Sequence, residues 1–455
     1  MKAIILAGGK GTRLWPLSRE KFSKQILKLI DGRSLLELTY ERVLNLLTPE
    51  DIITITNADY YYYVKDTASR FSLELEKNII TEPIGKDAYP AIALGIQFIL
   101  EKLSSNIEET IFIFPSDHII KPVDRFIEYM YLGKDSAEKG YLVTFGVKPT
   151  RPETGYGYIK LGEKLKGFNK VERFIEKPSL ELVRGYLEKG SYFWNSGMFV
   201  FKVSTFLEEL KLYQPEIYNS VIHGYDYFIK SFSTMPTISV DFALMEKSER
   251  VAVVPMDIFW TDVGSWDSFY EIKEKDNDNN VMIGDVCSIN TRNSLIISTK
   301  RLVSSVGIDD LLIVETDDAI LVLKKGNGQD IRELLEKLYA EDRKEVINHT
   351  EVYRPWGYYK ILGEGDKYKI RRVIIKPEAS LRLHRHYYRS EHWTVIKGTA
   401  NIQIEDKLYT LKEGESTFAP KLALHKLSNA DKVNLELIET QCGEYIREGD
   451  IESYD

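Results

Sequence analysis

Short apolar runs alternate with helical patterns over the first 150 residues, and this alternation is the strongest constraint on the fold. Five β-rich runs predict strands: KAIILAG, DIITIT, NIIT, TIFIFPSD and YLVTFGV. Between them, two segments carry apolar residues at helical spacing: SLLELTYERVLNLL and PAIALGIQFILEKL. Strands that alternate with helices predict a mostly parallel, doubly wound α/β sheet, in which ligands bind at the carboxyl ends of the strands.

The remainder of the chain carries other patterns, so we predict three domains. Residues 150–275 mix strands with helices and are assigned to the same α/β domain, which then spans residues 1–275. A polar DNDNN segment follows, and residues 276–348 are predicted to form a small β-rich linker module that ends in a connecting helix. Residues 349–455 consist almost entirely of strand and turn patterns, which predicts an all-β barrel.

Composition excludes several classes of protein. The 455 residues are 43% hydrophobic and 29% charged, which is an ordinary globular balance for a chain of two or three domains. A net charge of −8 argues against a nucleic-acid partner or an anionic membrane surface. Two cysteines form no disulfide framework, and no apolar run approaches the roughly 18 residues of a membrane span. We therefore expect a cytoplasmic protein.

The loop GGKGTRL lies between the first predicted strand and a predicted helix. Gly8, Gly9 and Gly11 allow successive backbone N–H groups to turn toward one anion, and Arg13 adds a cation that can bind phosphate in a bidentate manner. The loop is not a dinucleotide fingerprint, because Leu14 stands where the last glycine belongs, and it does not fit a Walker A loop. Taken alone, it could also be a tight turn with a surface arginine.

The segment LAGGKGTRLWPLSREKFSKQ resembles the signature of sugar-nucleotide pyrophosphorylases, specifically the bacterial mannose-1-phosphate guanylyltransferases. The resemblance continues in order over about residues 1–345, through EPIGKDAYPAIAL, FPSDH, PETGYGYI, FIEKP, WNSGMFVF, VDFALMEK and WTDVGSW. The C-terminal segments RPWGYY, HRHYYRSEHW and IETQCGEYIREGDI also match. The whole chain is thus similar to the type II bifunctional enzymes, in which a mannose-6-phosphate isomerase is joined to the guanylyltransferase. This implies a Rossmann-like nucleotidyltransferase domain and a C-terminal cupin barrel.

The resemblance implies that an oxygen of mannose 1-phosphate attacks the α-phosphorus of GTP in line and that pyrophosphate leaves. The catalytic residues then map onto Arg13, Lys24, Asp117 and Asp262. Arg13 and Lys24 would hold the triphosphate, while Asp117 and Asp262 would be the carboxylate ligands of Mg²⁺. Outside the family context, Asp117 could equally cap a helix and Asp262 could be a turn residue.

The residues implied to contact the nucleotide are Gly8, Gly9, Gly11, Thr12, Arg13, Lys24, Lys86 and Asp87. Two departures from the family pattern bear on them. Ser23 stands where a proline usually precedes the lysine, and GKDAYPAI replaces a segment that is usually close to GRNTAPAI. An aspartate can accept hydrogen bonds from guanine N1–H and N2–H₂, so GTP is compatible with Asp87. Another NTP or another sugar 1-phosphate is the alternative that the altered segment raises.

Sugar recognition is implied for Gly157, Glu176, Lys177 and Asn195. Gly157 would permit close approach of the backbone, Glu176 and Asn195 would bond hydroxyl groups, and Lys177 would pair with the sugar phosphate. Charged residues on a strand usually form a solvated face, so the motif match is what favours binding here.

A second cluster lies near the C-terminus, where His384 and His386 share one face of a predicted strand and Glu391 can return on the next strand. With His425, the cluster resembles the two cupin motifs, whose four ligands bind one metal. Three imidazoles and a carboxylate suit Zn²⁺, Fe²⁺, Ni²⁺ or Mn²⁺. Mannose 6-phosphate is the implied substrate, and Arg389 is the implied phosphate-binding or catalytic cation.

The cupin segment departs from its relatives as well. HRHYYR stands where type II isomerases usually carry QMHHHR, and Leu422 stands where the second cupin motif normally has glycine. One alternative is therefore a cupin kept for dimerisation or stability, with guanylyltransferase activity only; a homodimer is compatible with either hypothesis. A catalytically silent sugar-nucleotide sensor is a third hypothesis, which the joint presence of Arg13, Lys24, Asp117 and Asp262 disfavours.

Overall fold

A computed structural model describes residues 1–447 and 449–454. The chain forms two compact units, one ending at Ile347 and the other beginning at Asn348. The predicted domain boundaries after residues 275 and 348 stay predictions.

The first unit is built on a large sheet. Its early strands are β1 Lys2–Leu6, β2 Ile52–Asn57, β3 Ile79–Glu82, β4 Thr110–Pro115, β5 Ile119–Lys121, β6 Leu142–Val147, β7 Tyr158–Lys164, β8 Asn169–Ile175, β9 Tyr192–Lys202, β10 Val251–Met256 and β11 Phe259–Thr261. Nine of them form one sheet in the order β3-β2-β1-β4-β9-β6-β10-β8-β7, while β5 pairs with β11. The predicted parallel arrangement holds for β1 to β4. The other half is mixed, because β9 runs antiparallel between β4 and β6.

Helices cover both faces of this sheet, and the strands are accordingly apolar on both sides. In β1, Ala3 and Ile5 pack into one core, whereas Ile4 packs into another on the opposite face. The α-helices of the chain are α1 Leu35–Val43, α2 Tyr61–Ser69, α3 Leu73–Lys77, α4 Ala88–Glu101, α5 Val123–Ala137, α6 Leu180–Lys189, α7 Val203–Tyr213, α8 Pro215–Val221, α9 Tyr225–Ser231, α10 Trp266–Ile272 and α11 Ile331–Ala340. Short 3₁₀ turns cover Thr12–Leu14, Lys24–Ile26, Pro49–Asp51, Phe232–Thr234, Gly328–Asp330 and Lys344–Val346, and Asp241–Met245 is a π-turn.

The β-rich module completes the first unit. Its strands are β12 Val281–Ile283, β13 Val286–Ile289, β14 Leu295–Ser298, β15 Val303–Val306, β16 Leu311–Glu315 and β17 Ile320–Lys324. β12, β14 and β16 pair in parallel, as do β13 and β15, which is the arrangement of a parallel β-helix. Leu295 and Leu312 of this module share a hydrophobic core with Leu14, Trp15 and Trp266. The module is therefore packed against the glycine-loop segment and is more than the linker that we predicted.

The second unit is the predicted all-β barrel. Its strands are β18 Glu351–Arg354, β19 Gly357–Gly365, β20 Tyr368–Ile375, β21 His384–Arg385, β22 Arg389–Lys397, β23 Ala400–Ile404, β24 Lys407–Leu411, β25 Ser416–Ala419, β26 His425–Asn429, β27 Leu435–Gly443 and β28 Glu452–Ser453. They form a six-stranded sheet, β18-β19-β20-β27-β22-β25, and a five-stranded sheet, β24-β23-β26-β21-β28. Across the residues described, none of the helices combines the length and the apolar character that a membrane crossing would need.

Candidate functional sites

The glycine loop follows β1 and is packed too tightly for side chains at two positions. Gly11 has a φ of +58°, a left-handed conformation that favours glycine, and a Cβ there would lie 2.5 Å from Cβ of Lys24. A Cβ on Gly8 would lie 2.5 Å from Oε1 of Glu82. Gly9 is exposed, and Thr12 is half-buried at the start of the 3₁₀ turn. The loop thus presents backbone between a buried lysine and a buried glutamate.

Three of the implied catalytic residues meet at the carboxyl ends of the strands. Nζ of Lys24 lies 2.9 Å from Oδ2 of Asp117, which follows β4, and donates to the backbone carbonyl of Asp262 at 2.5 Å. The hydroxyl of Tyr156 donates to Oδ1 of Asp262 at 2.7 Å. Burial by itself would raise the pKa of Asp117, but the charge and hydrogen bond of Lys24, together with further neighbouring groups, outweigh it, and the pKa lies below its ordinary value. The carboxylate of Asp117, the buried ammonium of Lys24 and the backbone of Asp262 therefore meet at one site, and the Asp262 carboxylate is bonded to Tyr156.

His118 cannot supply a second positive charge near Asp117. Burial lowers the pKa of His118 to about 4, and Nε1–H of Trp260 donates to its Nδ1 at 3.3 Å. The imidazole is thus neutral at physiological pH, which leaves Lys24 as the cation beside Asp117.

The implied base-reading residues begin α4. Asp87 has a φ of +68°, and its Oδ1 accepts a hydrogen bond from the backbone N–H of Ala88 at 2.7 Å. Lys86 is half-buried, and its carbonyl accepts from N–H of Ile238 at 3.2 Å. Burial, followed by the charge of Asp87, raises the pKa of Glu82 to about 7. Glu82 was missed from the sequence, although it begins the EPIGKDAY segment.

The implied sugar-binding residues form a second pocket of polar groups. A Cβ on Gly157 would lie 2.5 Å from Oε2 of Glu176, and the Glu176 side chain is only 9% exposed, so it is not part of a solvated face. Lys177 pairs with Glu176 at 2.9 Å and is 63% exposed. Nδ2 of Asn195 donates to Oδ1 of Asp241 at 2.9 Å.

Asp241 was not predicted as a site residue, although VDFALMEK contains it. Burial, together with the nearby charge of Glu176, raises the pKa of Asp241 to about 7. Tyr156 was also missed; its ring packs edge-on against Trp194, the neighbour of Asn195, while its hydroxyl bonds Asp262. Tyr156 therefore links the polar pocket to the paired aspartates.

The four implied cupin ligands converge inside the barrel. His384, His386, Glu391 and His425 are buried, and each offers a ligand atom within 4.8 Å of the others. Nε2 of His386 lies 3.0 Å from Oε1 of Glu391, and Nε2 of His425 lies 3.6 Å from Oε2. This cluster has the geometry of a metal site.

A hydrogen bond at Nδ1 fixes the orientation of each imidazole, with its Nε2 atom directed into the cluster. The three Nδ1 atoms donate to backbone carbonyls: His384 to Arg382 at 2.8 Å, His386 to Asp450 at 2.6 Å and His425 to Ala423 at 2.9 Å. Each Nε2 consequently carries a lone pair, and that of His425 has no hydrogen-bond partner within the described part of the chain. Three imidazole nitrogens and a carboxylate that face one another in a buried cluster form a donor set that fits a bound metal.

Three further residues of the barrel qualify the sequence-based picture. Arg389 is buried, with Nη1 donating to the carbonyl of Arg447 at 2.9 Å and Nε to Oε1 of Glu391 at 3.4 Å. Its role as a phosphate-binding cation stays a prediction. Leu422 has a φ of +69°, which explains why glycine is usual at this position. Gln441, missed from the sequence, donates to Oε1 of Glu391 at 2.8 Å.

Comparisons with known families divide the chain in the same order. The family described as nucleotidyl transferase matches residues 2–279. The family described as MannoseP isomerase/GMP-like beta-helix domain matches residues 284–338, and that described as mannose-6-phosphate isomerase C-terminal matches residues 341–455.

Individual relatives match along nearly the whole chain. A mannose-1-phosphate guanylyltransferase from Salmonella montevideo is 41% identical over 466 residues, covering 98% of this chain and 97% of that protein. The alginate biosynthesis protein AlgA from Pseudomonas putida is 37% identical and covers 100% of this chain and 96% of its own length. A crystal structure described as mannose-1-phosphate geranyltransferase from Thermus thermophilus superposes with a TM-score of 0.68 at 32% identity, covering 74% of this chain and 99% of that one. The chain therefore belongs to the nucleotidyl transferase family, and within it to the mannose-1-phosphate guanylyltransferases that carry a C-terminal mannose-6-phosphate isomerase domain.

Proposed function

We propose that this chain joins mannose 1-phosphate to GTP, releasing pyrophosphate and GDP-mannose, and that its barrel interconverts mannose 6-phosphate and fructose 6-phosphate. A separate phosphomutase would supply the step between the two reactions. The observation that carries the first half is the contact of one buried ammonium, Lys24, with the carboxylate of Asp117 and the backbone carbonyl of Asp262 beside the glycine loop. A homodimer and a cytoplasmic location stay predictions.

In the transferase reaction, the protein positions charges. The backbone of the glycine loop and the guanidinium of Arg13 bind the triphosphate, and Lys24 neutralises charge that develops on the leaving pyrophosphate. Asp117 and Asp262 would hold Mg²⁺, since one or two carboxylates combined with substrate phosphates is the usual donor set for this ion. The ion would supply charge stabilisation on the phosphate oxygens. Tyr156, bonded to Asp262, keeps that carboxylate oriented.

Two acidic groups support guanine as the base. The carboxylate of Glu82 lies next to Gly8 of the glycine loop. Asp87 caps the N-terminus of α4, five residues further along the chain. Guanine presents two adjacent donors, N1–H and N2–H₂, to an acceptor of this kind. Gly157, Glu176, Lys177, Asn195 and Asp241 are proposed for the sugar phosphate.

Pyrophosphate release tests this proposal. The full-length protein with Mg²⁺ is assayed with each of the four NTPs and with several hexose 1-phosphates. We expect the highest turnover with GTP and mannose 1-phosphate. A preference of tenfold or more for another NTP would overturn the assignment of GTP as the substrate. Equal release of pyrophosphate in the absence of any sugar phosphate would overturn the assignment of transferase activity.

The barrel is proposed to move a proton between C1 and C2 of the sugar phosphate through an enediol. His384, His386, Glu391 and His425 would hold Zn²⁺ or another divalent transition metal, which would polarise the carbonyl. The buried Nε2 atom of His425, aimed into the cluster without a hydrogen-bond partner in the described residues, carries this half of the proposal. Arg389, 3.4 Å from Glu391, is the candidate for holding the substrate or its developing charge.

The isomerase half has its own test. Full-length protein is stripped with a chelator, reloaded with Zn²⁺, Fe²⁺, Ni²⁺ or Mn²⁺, and assayed for fructose 6-phosphate. We expect one metal per chain and activity that depends on it. Absence of isomerisation with every metal, in protein that still binds one, would identify the barrel as a structural metal domain in a guanylyltransferase.

A further inference from the structure

One side chain of the β-helix module forms a hydrogen bond with the arginine of the glycine loop. Gln329 lies in the 3₁₀ turn Gly328–Asp330, and its Oε1 accepts a hydrogen bond from Nη1 of Arg13 at 3.3 Å, across 316 residues of chain. A Cβ on Gly155 would be 4.0 Å from Nη1 of Arg13 and 3.9 Å from Nε2 of Gln329. Three segments that are distant in sequence thus converge on one guanidinium.

The turn that carries Gln329 is held in place by Asp267. The two carboxylate oxygens of Asp267 accept from N–H of Gly326 at 2.6 Å and from N–H of Gly328 at 3.0 Å. A Cβ on Gly328 would lie 2.4 Å from Oδ2 of Asp267, so the turn is docked as closely as a glycine allows. Asp267 follows Asp262 by five residues within the same WTDVGSWD segment. The position of Gln329 is therefore tied to the segment that also carries a proposed metal ligand.

The segment after the glycine loop is attached to the same region. Nε1–H of Trp15 donates to the carbonyl of Glu345 at 2.9 Å, and N–H of Glu20 donates to that of Val346 at 3.0 Å. The guanidinium of Arg19 is fully buried and bonds Asp318 at 2.6 Å. These contacts keep the backbone that carries Arg13 in register with the module that carries Gln329.

We propose that Gln329 is a positioning residue of the transferase, which orients the guanidinium of Arg13 toward the triphosphate. This inference rests on the proposed transferase function. A guanidinium has five N–H donors in a rigid plane, so an acceptor at Nη1 leaves Nε and Nη2 for a phosphate. A neutral amide suits this task, because a carboxylate at the same position would compete with the phosphate for the cation.

Steady-state kinetics on three variants of the full chain test the proposal. Gln329→Ala is expected to lower kcat/KM for GTP roughly 3–10-fold, the loss typical of one solvent-exposed hydrogen bond, with KM for mannose 1-phosphate unchanged. Gln329→Glu is expected to be worse, roughly 10–100-fold, mainly through KM for GTP, since its charge opposes the triphosphate. Asn327→Ala is the matched control, because its amide in the same turn bonds Asp330 at 2.8 Å.

A double-mutant cycle separates positioning from a general effect on the module. In an Arg13→Ala background, Gln329→Ala should cost nothing further, because the group that it orients is gone. Equal losses in both backgrounds, a Gln329→Glu variant as active as wild type, or an Asn327→Ala variant as weak as Gln329→Ala would each overturn the inference. If wild type itself releases no pyrophosphate, it is the proposed function that fails; GTP binding measured by calorimetry on the same variants then still tests the Arg13 contact.

Discussion

At the scale of single residues, the candidate transferase site depends on a buried cation that pairs with a partly exposed carboxylate. Lys24 is only 6% exposed on its side chain, and the cost of burying its ammonium is offset by Asp117 and by the carbonyl of Asp262. Removing the Asp117 carboxylate leaves the Lys24 ammonium with the backbone carbonyl of Asp262 and, among the described residues, no charged partner at this distance. We therefore expect substitutions at these positions to lower transferase turnover strongly and to leave the folding of distant elements unchanged.

Asp117→Asn is expected to lower transferase turnover by roughly 10²–10³, the usual loss for one electrostatic stabiliser. The amide keeps the shape of the side chain but loses the charge that pairs with Lys24 and that would bind Mg²⁺. Pyrophosphate release at saturating substrates measures the effect. Asp124→Asn, on the exposed face of α5, serves as the control and should stay within about twofold of wild type. Comparable losses in both variants would contradict the assignment.

The buried carboxyl of Asp241 should make stability depend on pH. The pKa of Asp241 is raised from 3.8 to about 7 in the folded chain. The protonated carboxyl therefore contributes to the free energy of unfolding at low pH, and this contribution is lost as the pH rises through about 7. Asp241→Asn removes the cost of ionisation, of the order of 1–3 kcal/mol at pH 8.5. Thermal melts between pH 5.5 and 8.5 should therefore fall less for the variant than for wild type. Parallel curves for the two proteins would refute the shift, and Asp226→Asn, with a 77% exposed carboxyl, is the control.

At the scale of elements, the barrel shows how turns and strands position the candidate metal ligands. The turn between β25 and β26 is fixed by N–H of Leu422, which donates to the carbonyl of His386 at 2.8 Å. On β27, Gln441 and Glu439 face inward beside Glu391, and Glu439 is ion-paired with Arg371. The ligands are thus held both by backbone bonds and by polar side chains of the neighbouring strand.

Leu422→Gly is expected to stabilise the barrel by about 0.5–1 kcal/mol. A left-handed residue costs about 1–2 kcal/mol for an L side chain, and part of that gain is lost to the greater chain entropy of glycine. Leu422 is 54% exposed, so little burial is sacrificed. Chemical denaturation of the two proteins gives the difference. Leu408→Gly, in β24 and 82% exposed, should instead destabilise; a loss of stability in both variants would contradict the argument.

Gln441→Leu is expected to weaken metal binding roughly 10–100-fold, because it removes the donor that orients Glu391. Competition with a chromophoric chelator measures the affinity directly. The control is Gln403→Leu on β23, where the amide bonds the backbone carbonyl of Glu405 at 3.1 Å. Unchanged affinity in Gln441→Leu would show that the carboxylate needs no support from β27.

At the scale of the whole molecule, the chain divides into two compact units, and each contains one candidate site with its own core. The glycine loop, the paired aspartates and the β-helix module all belong to the first unit. The histidine cluster belongs entirely to the second. Two chemistries on one chain therefore need not share a residue.

His386→Ala is expected to abolish metal binding and isomerisation together while leaving pyrophosphate release within about twofold of wild type. Three remaining ligands leave an open and weak site. Conversely, Asp117→Asn should retain full isomerase activity. Metal content by mass spectrometry and both assays on each protein check this reciprocity. Loss of both activities from either substitution, in folded protein, would contradict two independent sites.

The sequence by itself determined the parts that depend on local spacing. The loop glycines were recognised from their place behind the first strand, and His384 and His386 were placed together because side chains two residues apart lie on the same side of an extended chain. Apolar spacing also predicted α1, α4 and α11 and the strands that begin the large sheet, since these periods are local. Only the tertiary structure decided the residues that complete the sites, such as Glu82 and Gln329. Their roles come from contacts across long stretches of chain, and an isolated glutamate or glutamine carries no periodic signal that separates it from the surface residues of its type.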